Sequence, residues 1–84
     1  MYFLAGAFMS DNQISEKLKI GRYQHYKGGM YEVIDTVIHS EDESLLVLYR
    51  PLYGEGKLWV RPYSMFIEEV QTDAGKKPRF AFVE

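Results

Sequence analysis

From residue 20 onward, every apolar stretch is short, rich in β-branched and aromatic residues, and closed by turn-forming residues. Gly28-Gly29, the acidic run at 40–44, Tyr53-Gly54-Glu55-Gly56, Pro62 and Asp73-Ala74-Gly75 interrupt the chain, at a spacing of roughly ten residues that is typical of small all-β folds. That punctuation leaves no room for a helix of ordinary length and dictates strands joined by tight turns.

The spacing predicts strands over residues 20–27, 30–39, 45–52, 57–61, 67–70 and 79–83. Residues 72–77 read as a polar loop. Pro62 ends its strand because it lacks the amide N–H a ladder needs, and residues 62–66 read as one 3₁₀ turn. The last stretch alternates well enough for an edge strand, with Phe80 and Phe82 on one face. The expected class is mainly all-β: a small SH3-like antiparallel barrel of five or six strands with one 3₁₀ turn. That likeness rests on spacing and implies no function.

Gly28-Gly29 provides the two positive-φ positions of a type I′ turn. A two-residue turn there sets Arg22 opposite Asp35 and His25 opposite Glu32, two complementary cross-strand pairs. A three-residue loop that opposes Tyr23 to Asp35 loses both, so register favours the shorter turn.

Eighty-four residues without a cysteine make one small domain that neither disulfides nor thiolate-bound metal can brace. Aromatic rings must do that work. Thirteen of them, each removing about 150–250 Å² from water when buried, exceed what so small a core encloses. Some therefore line an exposed patch. The net charge of −2 argues against a strong non-specific nucleic-acid binder. The lack of cysteine fits a reducing cytoplasm.

Residues 1–9, MYFLAGAFM, are apolar but lack the basic start of a signal peptide and the length of a bilayer span. They read as an arm, or as residues ahead of a true start at Met9. Residues 10–19 carry a helix signature, with Ser10 as cap, Gln13 at the capping-box position, and Ile14 and Leu18 on one face. Residues 1–18 thus form an arm, partly helical or disordered, and residues 19–84 the β domain.

Gly21, Tyr23, His25, Lys27-Gly28 and Tyr31, then His39, Tyr49-Arg50, Tyr53, Trp59, Arg61-Pro62, Phe66 and Arg79-Phe80 together resemble a small bacterial family catalogued as domain-of-unknown-function family 1653. The resemblance covers about residues 19–82. It implies domain limits and carries no established activity.

His25 and His39 are the only imidazoles. His39 lies seven residues beyond Glu32, roughly 23 Å along one predicted strand and on the other face, so one metal cannot take both histidines. No metal or other cofactor is expected. His39 reads as closing a strand beside the acidic turn, where Ser40 and Ser44 make poor nucleophiles. His25 with Glu32 is the one acid–base candidate, because a neighbouring carboxylate raises an imidazole's pKa. Lys27-Gly28-Gly29 is not a phosphate loop, since a strand and not a helix follows it.

The ring and guanidinium set Tyr23, His25, Tyr49, Arg50, Trp59, Arg61 and Tyr63 is the expected ligand-binding surface. Interleaved rings and cations stack bases, pair phosphates or clamp extended peptides. The sequence therefore reads as a cytoplasmic, non-enzymatic binding module for a nucleotide, a single-stranded nucleic acid or a peptide, with no membrane role. Two alternatives stand beside it. One is a small enzyme acting on a nucleotide-like anion through His25 and Glu32. The other is an interaction domain that dimerises through the edge strand at 79–83.

Overall fold

A computed structural model describes residues 18–84. The expected arm and helix of residues 1–19 fall almost wholly outside the described residues. In chain order the elements are β1 (Gly21–His25), β2 (Met30–Ile38), β3 (Leu45–Pro51), β4 (Trp59–Pro62), α1 (Tyr63–Phe66), β5 (Glu69–Thr72), β6 (Gly75–Pro78) and β7 (Phe80–Phe82). Five strands form one antiparallel sheet in the order β4-β3-β2-β1-β7, and β5 with β6 makes a separate hairpin. No helix among the described residues is long and apolar enough to cross a membrane.

The protein is mainly β, but the expected barrel does not close. β4 and β7 are the two edges of the five-stranded sheet and do not pair with each other. At four and three residues they are too short to wrap the sheet onto itself. The sheets are open, and the SH3-like detail is not confirmed. The strand count is seven because residues 72–77 are not a loop. Lys76 and Lys77 face Gln71 and Val70 across a hairpin whose two-residue turn is Asp73-Ala74. Thr72 Oγ1 accepts the Ala74 N–H (3.1 Å) and donates to the Gly75 carbonyl (2.7 Å), which locks that turn.

The first hairpin also differs from expectation. Its loop is Tyr26-Lys27-Gly28, one residue longer than Gly28-Gly29 and shifted towards the N-terminus. The Gly28 N–H donates to the His25 carbonyl (2.7 Å) and the His25 N–H to the Gly29 carbonyl (2.8 Å). Gly28 takes φ 111°, the positive-φ position that follows the turn in three-residue hairpin loops. Arg22 consequently faces Glu32, and Tyr23 faces Tyr31. Both expected charge pairs are lost.

Face alignment explains the outcome. The observed register differs from the expected one by an odd number of residues, which exchanges the two faces of one strand relative to the other. Tyr23, Tyr31 and Val33 now share the inner face, whereas Arg22 and Glu32 share the outer one. Burying a large ring contributes about 1.5–3 kcal/mol, against a few tenths for an exposed charge pair. Ring burial wins.

The inner face carries the core: Tyr23, Val33, Val47, Tyr49, Phe66 and Phe80 are buried. A bulge in β2 between Val33 and Asp35 lets Thr36 face Val47 after Val33 has faced Tyr49. The turn after Pro62 is one turn of α-helix and not 3₁₀, since the Ile67 N–H reaches back four residues to the Tyr63 carbonyl (3.1 Å). It delivers Phe66 under the sheet, where its ring stacks on Phe80 with centroids 4.2 Å apart and planes 2° from parallel. Four of the six buried side chains are aromatic, as a small core without disulfides requires.

Candidate functional site

Beyond the buried rings, the same inner face continues into a partly open cluster centred on Tyr31. Its ring lies 5.7 Å from Tyr49, 5.7 Å from Tyr53, 6.3 Å from Trp59, 5.4 Å from Phe80 and 6.2 Å from His25. Strand alternation is the cause. Tyr31 sits in β2 beside Tyr49 of β3, which in turn faces Trp59 of β4, so three adjacent strands each put a ring on one face. β7 adds Phe80 through its pairing with His25. Trp59 is 46 % exposed and Tyr53 53 %, so the cluster grades from buried floor to solvated rim.

One cation crosses this floor. Arg61 places its guanidinium 5.6 Å from the Phe80 ring centre and donates from Nε to the Tyr49 hydroxyl (3.2 Å). Among the described residues it forms no ion pair, in contrast to Arg22, Arg50 and Arg79, which hold Glu84, Glu32 and Glu68. A guanidinium fixed against rings and left without a carboxylate is a ready anion receptor.

His25 stacks on Tyr26 (4.6 Å) and meets Phe80 edge-on (5.0 Å). Its Nδ1 accepts the Lys27 N–H (3.1 Å), so the neutral ring carries its proton on Nε2. Burial pushes its pKa below the usual 6.5, and the charges of Arg61, Arg79 and Lys27 push it further down. The Tyr31 phenol is pushed up to about 12, first by burial and then by its 2.6 Å hydrogen bond to the Tyr53 hydroxyl. Both shifts favour the un-ionised form at neutral pH. The face therefore offers rings, hydroxyls, a neutral imidazole and fixed guanidinium charge.

Of the residues expected at the site, His25, Tyr49, Trp59 and Arg61 come together. Tyr23 is buried deeper, edge-on to Phe66 (5.4 Å), with its hydroxyl donating to the Lys19 carbonyl (2.6 Å). Tyr63 begins α1 and packs against the core. Arg50 lies on the outer face, where it bonds Glu32 through Nε and Nη2, both at 3.1 Å. That pairing also removes the acid–base candidate: Glu32 is engaged by Arg50 on the face away from His25.

His39 closes the turn after β2. Its N–H donates to the Ser44 carbonyl (2.8 Å), its carbonyl accepts the Glu43 N–H (2.8 Å), and its Nδ1 accepts the Glu41 N–H (3.0 Å). Among the described residues no three His, Asp or Glu side chains gather where they could hold a metal ion.

Sequence reasoning missed Tyr31, Tyr53 and Phe80 as site residues. Tyr31 could have been found by asking which hairpin register places Tyr23, Tyr31 and Val33 on one face. Tyr53 reads as turn punctuation in the sequence, and nothing local reveals that the turn folds back over β2.

Fold and site together define a small open-sheet antiparallel β protein with an aromatic face crossed by an arginine. The family described as "Protein of unknown function (DUF1653)" matches residues 21–82, and the chain belongs to that family. The chain is also similar to the crystal structure of a DUF1653 protein from Bordetella bronchiseptica. That similarity has a TM-score of 0.77 and 32% sequence identity, over 82% of this chain and 91% of the other. Comparison with curated proteins found no match.

Proposed function

We propose that the protein is a non-enzymatic binding module whose Tyr31-centred face takes an anionic ligand of the nucleotide type, either a mononucleotide or a short single strand. The observation that carries this reading is Arg61, held over Phe80 and against Tyr49 without a carboxylate partner among the described residues. Rings that grade out to an exposed Trp59 add stacking surface beside that charge. Base–aromatic stacking and guanidinium–phosphate pairing are the two interactions on which single-strand binding rests. A neutral His25 avoids a second full charge at the site, which fits a ligand of modest anionic charge. The enzyme alternative loses its acid–base pair to the Glu32–Arg50 bond.

Trp59 is the only tryptophan, so its emission reports this face alone. Titration with nucleoside monophosphates, short single-stranded oligonucleotides and acidic peptides should quench it for the nucleotide arms. Arg61→Ala should weaken that binding by about 1.5–3 kcal/mol, the range for a hydrogen bond to a charged group. Arg61→Lys keeps the charge but loses the planar fork, and should fall between the two. Wild-type protein whose emission no nucleotide changes would contradict the proposal, as would equal binding by folded Arg61→Ala.

A further inference from the structure

The turn after β3 frames a slot beside this face. Pro51, Tyr53 and Trp59, with residues 54–57 of the turn, wall a surface cavity of about 280 Å³. Tyr53 and Trp59 each lie against Tyr31, at 5.7 and 6.3 Å, so Tyr31 ties the two exposed rings of the slot to the cluster beneath. Gly54 and Gly56 take φ 62° and 66°, which bends the turn tightly round the slot. An added Cβ at Gly54 would meet nothing within 4 Å, so that wall is open. Glu55 and Lys57, both largely solvated and 3.7 Å apart, line the same slot.

The slot end holds the solvated Glu55–Lys57 pair, which leaves one carboxylate oxygen of Glu55 to accept from a ligand. The other end holds the guanidinium of Arg61, without a carboxylate partner among the described residues. Arg61, two residues beyond Trp59 on β4 and opposite Val47, is close enough to Tyr31 to lower that phenol's pKa. A nucleotide matches this layout in three places. Its anion suits the unpaired guanidinium, its flat faces suit Trp59 and Tyr53, and the exocyclic amine of cytosine or adenine is a donor for the Glu55 carboxylate. A proline-rich peptide would find the rings but carries no anion for Arg61. Uracil turns a carbonyl oxygen where cytosine turns its amine, so acceptor would face acceptor at Glu55.

We propose that the slot between Tyr53 and Trp59 takes the base of a nucleotide, an amino-edged base with its amine on Glu55, and that the phosphate end runs towards Arg61. This rests on the binding-module reading and adds the class of base and the residue that reads it. The Trp59 stack supplies affinity for any base. The Glu55 carboxylate supplies the choice among them.

The test uses the single indole N–H resonance of Trp59 in the full chain, titrated with cytidine and uridine, which lack phosphate, and with cytidine monophosphate. Cytidine should shift the resonance saturably and bind about tenfold tighter than uridine, the low end of discrimination by a good base contact. Glu55→Gln, whose amide can donate or accept, should erase that preference while cytidine still binds. Tyr53→Ala should weaken both nucleosides several-fold or more, as loss of a stacking ring does.

If cytidine monophosphate binds through Arg61 but neither nucleoside moves the resonance, the slot proposal is overturned and the binding-module reading stands. Equal affinity for cytidine and uridine in wild-type protein overturns the role given to Glu55. A proline-rich peptide that saturates the resonance where nucleosides do not would assign the slot to a peptide instead.

Discussion

Tyr31 and His25 show how single residues set the chemistry of this face. Each is held un-ionised at neutral pH, the phenol by burial and its bond to Tyr53, the imidazole by burial and three nearby cations. For His25 the consequence for stability has a definite sign. Its folded pKa lies below the ordinary 6.5, so the unfolded chain binds the proton first. The contribution is fully present above the unfolded value and is lost as pH falls through the folded one. His25→Asn retains a side-chain oxygen that can accept the Lys27 N–H but does not titrate. Thermal midpoints measured from pH 7.5 down to 5 should fall more steeply for wild type than for His25→Asn. Parallel curves would show that neither burial nor the nearby cations hold the folded imidazole neutral. An anion bound at Arg61 offsets part of that positive field, so its affinity should rise as pH drops over the same range.

At the scale of elements, the short turn α1 matters more than its four residues suggest. It carries Phe66, which is fully buried, stacked on Phe80 and edge-on to Tyr23 and Tyr49. Phe66 thus joins β1, β3 and β7 beneath the site. Phe66→Ala should cost about 3–5 kcal/mol, a large share of the 5–15 kcal/mol typical of a domain. Chemical denaturation gives the check, and a loss under 1 kcal/mol would show that α1 is not part of the cooperative core. The strands themselves were largely legible: β1 to β5 and β7 fall within or close to the expected stretches. β6 was not, because Lys76, Lys77 and Pro78 have no apolar alternation to betray a strand that lies in an exposed hairpin. The first hairpin is legible from its glycines, but its loop is one residue longer than Gly28-Gly29 and its register differs accordingly. Two cross-strand charge pairs of small energy point to the shorter turn, and the face alignment of Tyr23, Tyr31 and Val33 outweighs them.

At the scale of the molecule, an open sheet leaves one side of its inner face uncovered by strands, and that is where the aromatic cluster reaches solvent. Ring surplus is readable from composition: among the described residues ten rings meet a core that buries four. Which rings surface was not readable, because that depends on the offset of a three-residue loop and on the bulge after Val33. Pairing of β3 with β2 puts Arg50 opposite Glu32 on the outer face, and pairing with β4 puts Arg61 opposite Val47 on the inner one. Charged pairs then occupy the outer face near β1, where Arg22 holds Glu84 and Arg50 holds Glu32, and the inner face keeps its guanidinium free of carboxylates among the described residues. We propose this inner face as the binding surface. Amide chemical-shift mapping during titration with a nucleoside monophosphate tests it most directly. Shifts should concentrate at Tyr31, Tyr53, Trp59 and Arg61, with His25 at the margin. Saturable shifts confined to the outer-face residues Arg22, Glu32 and Arg50, or none at any concentration that quenches Trp59, would contradict it.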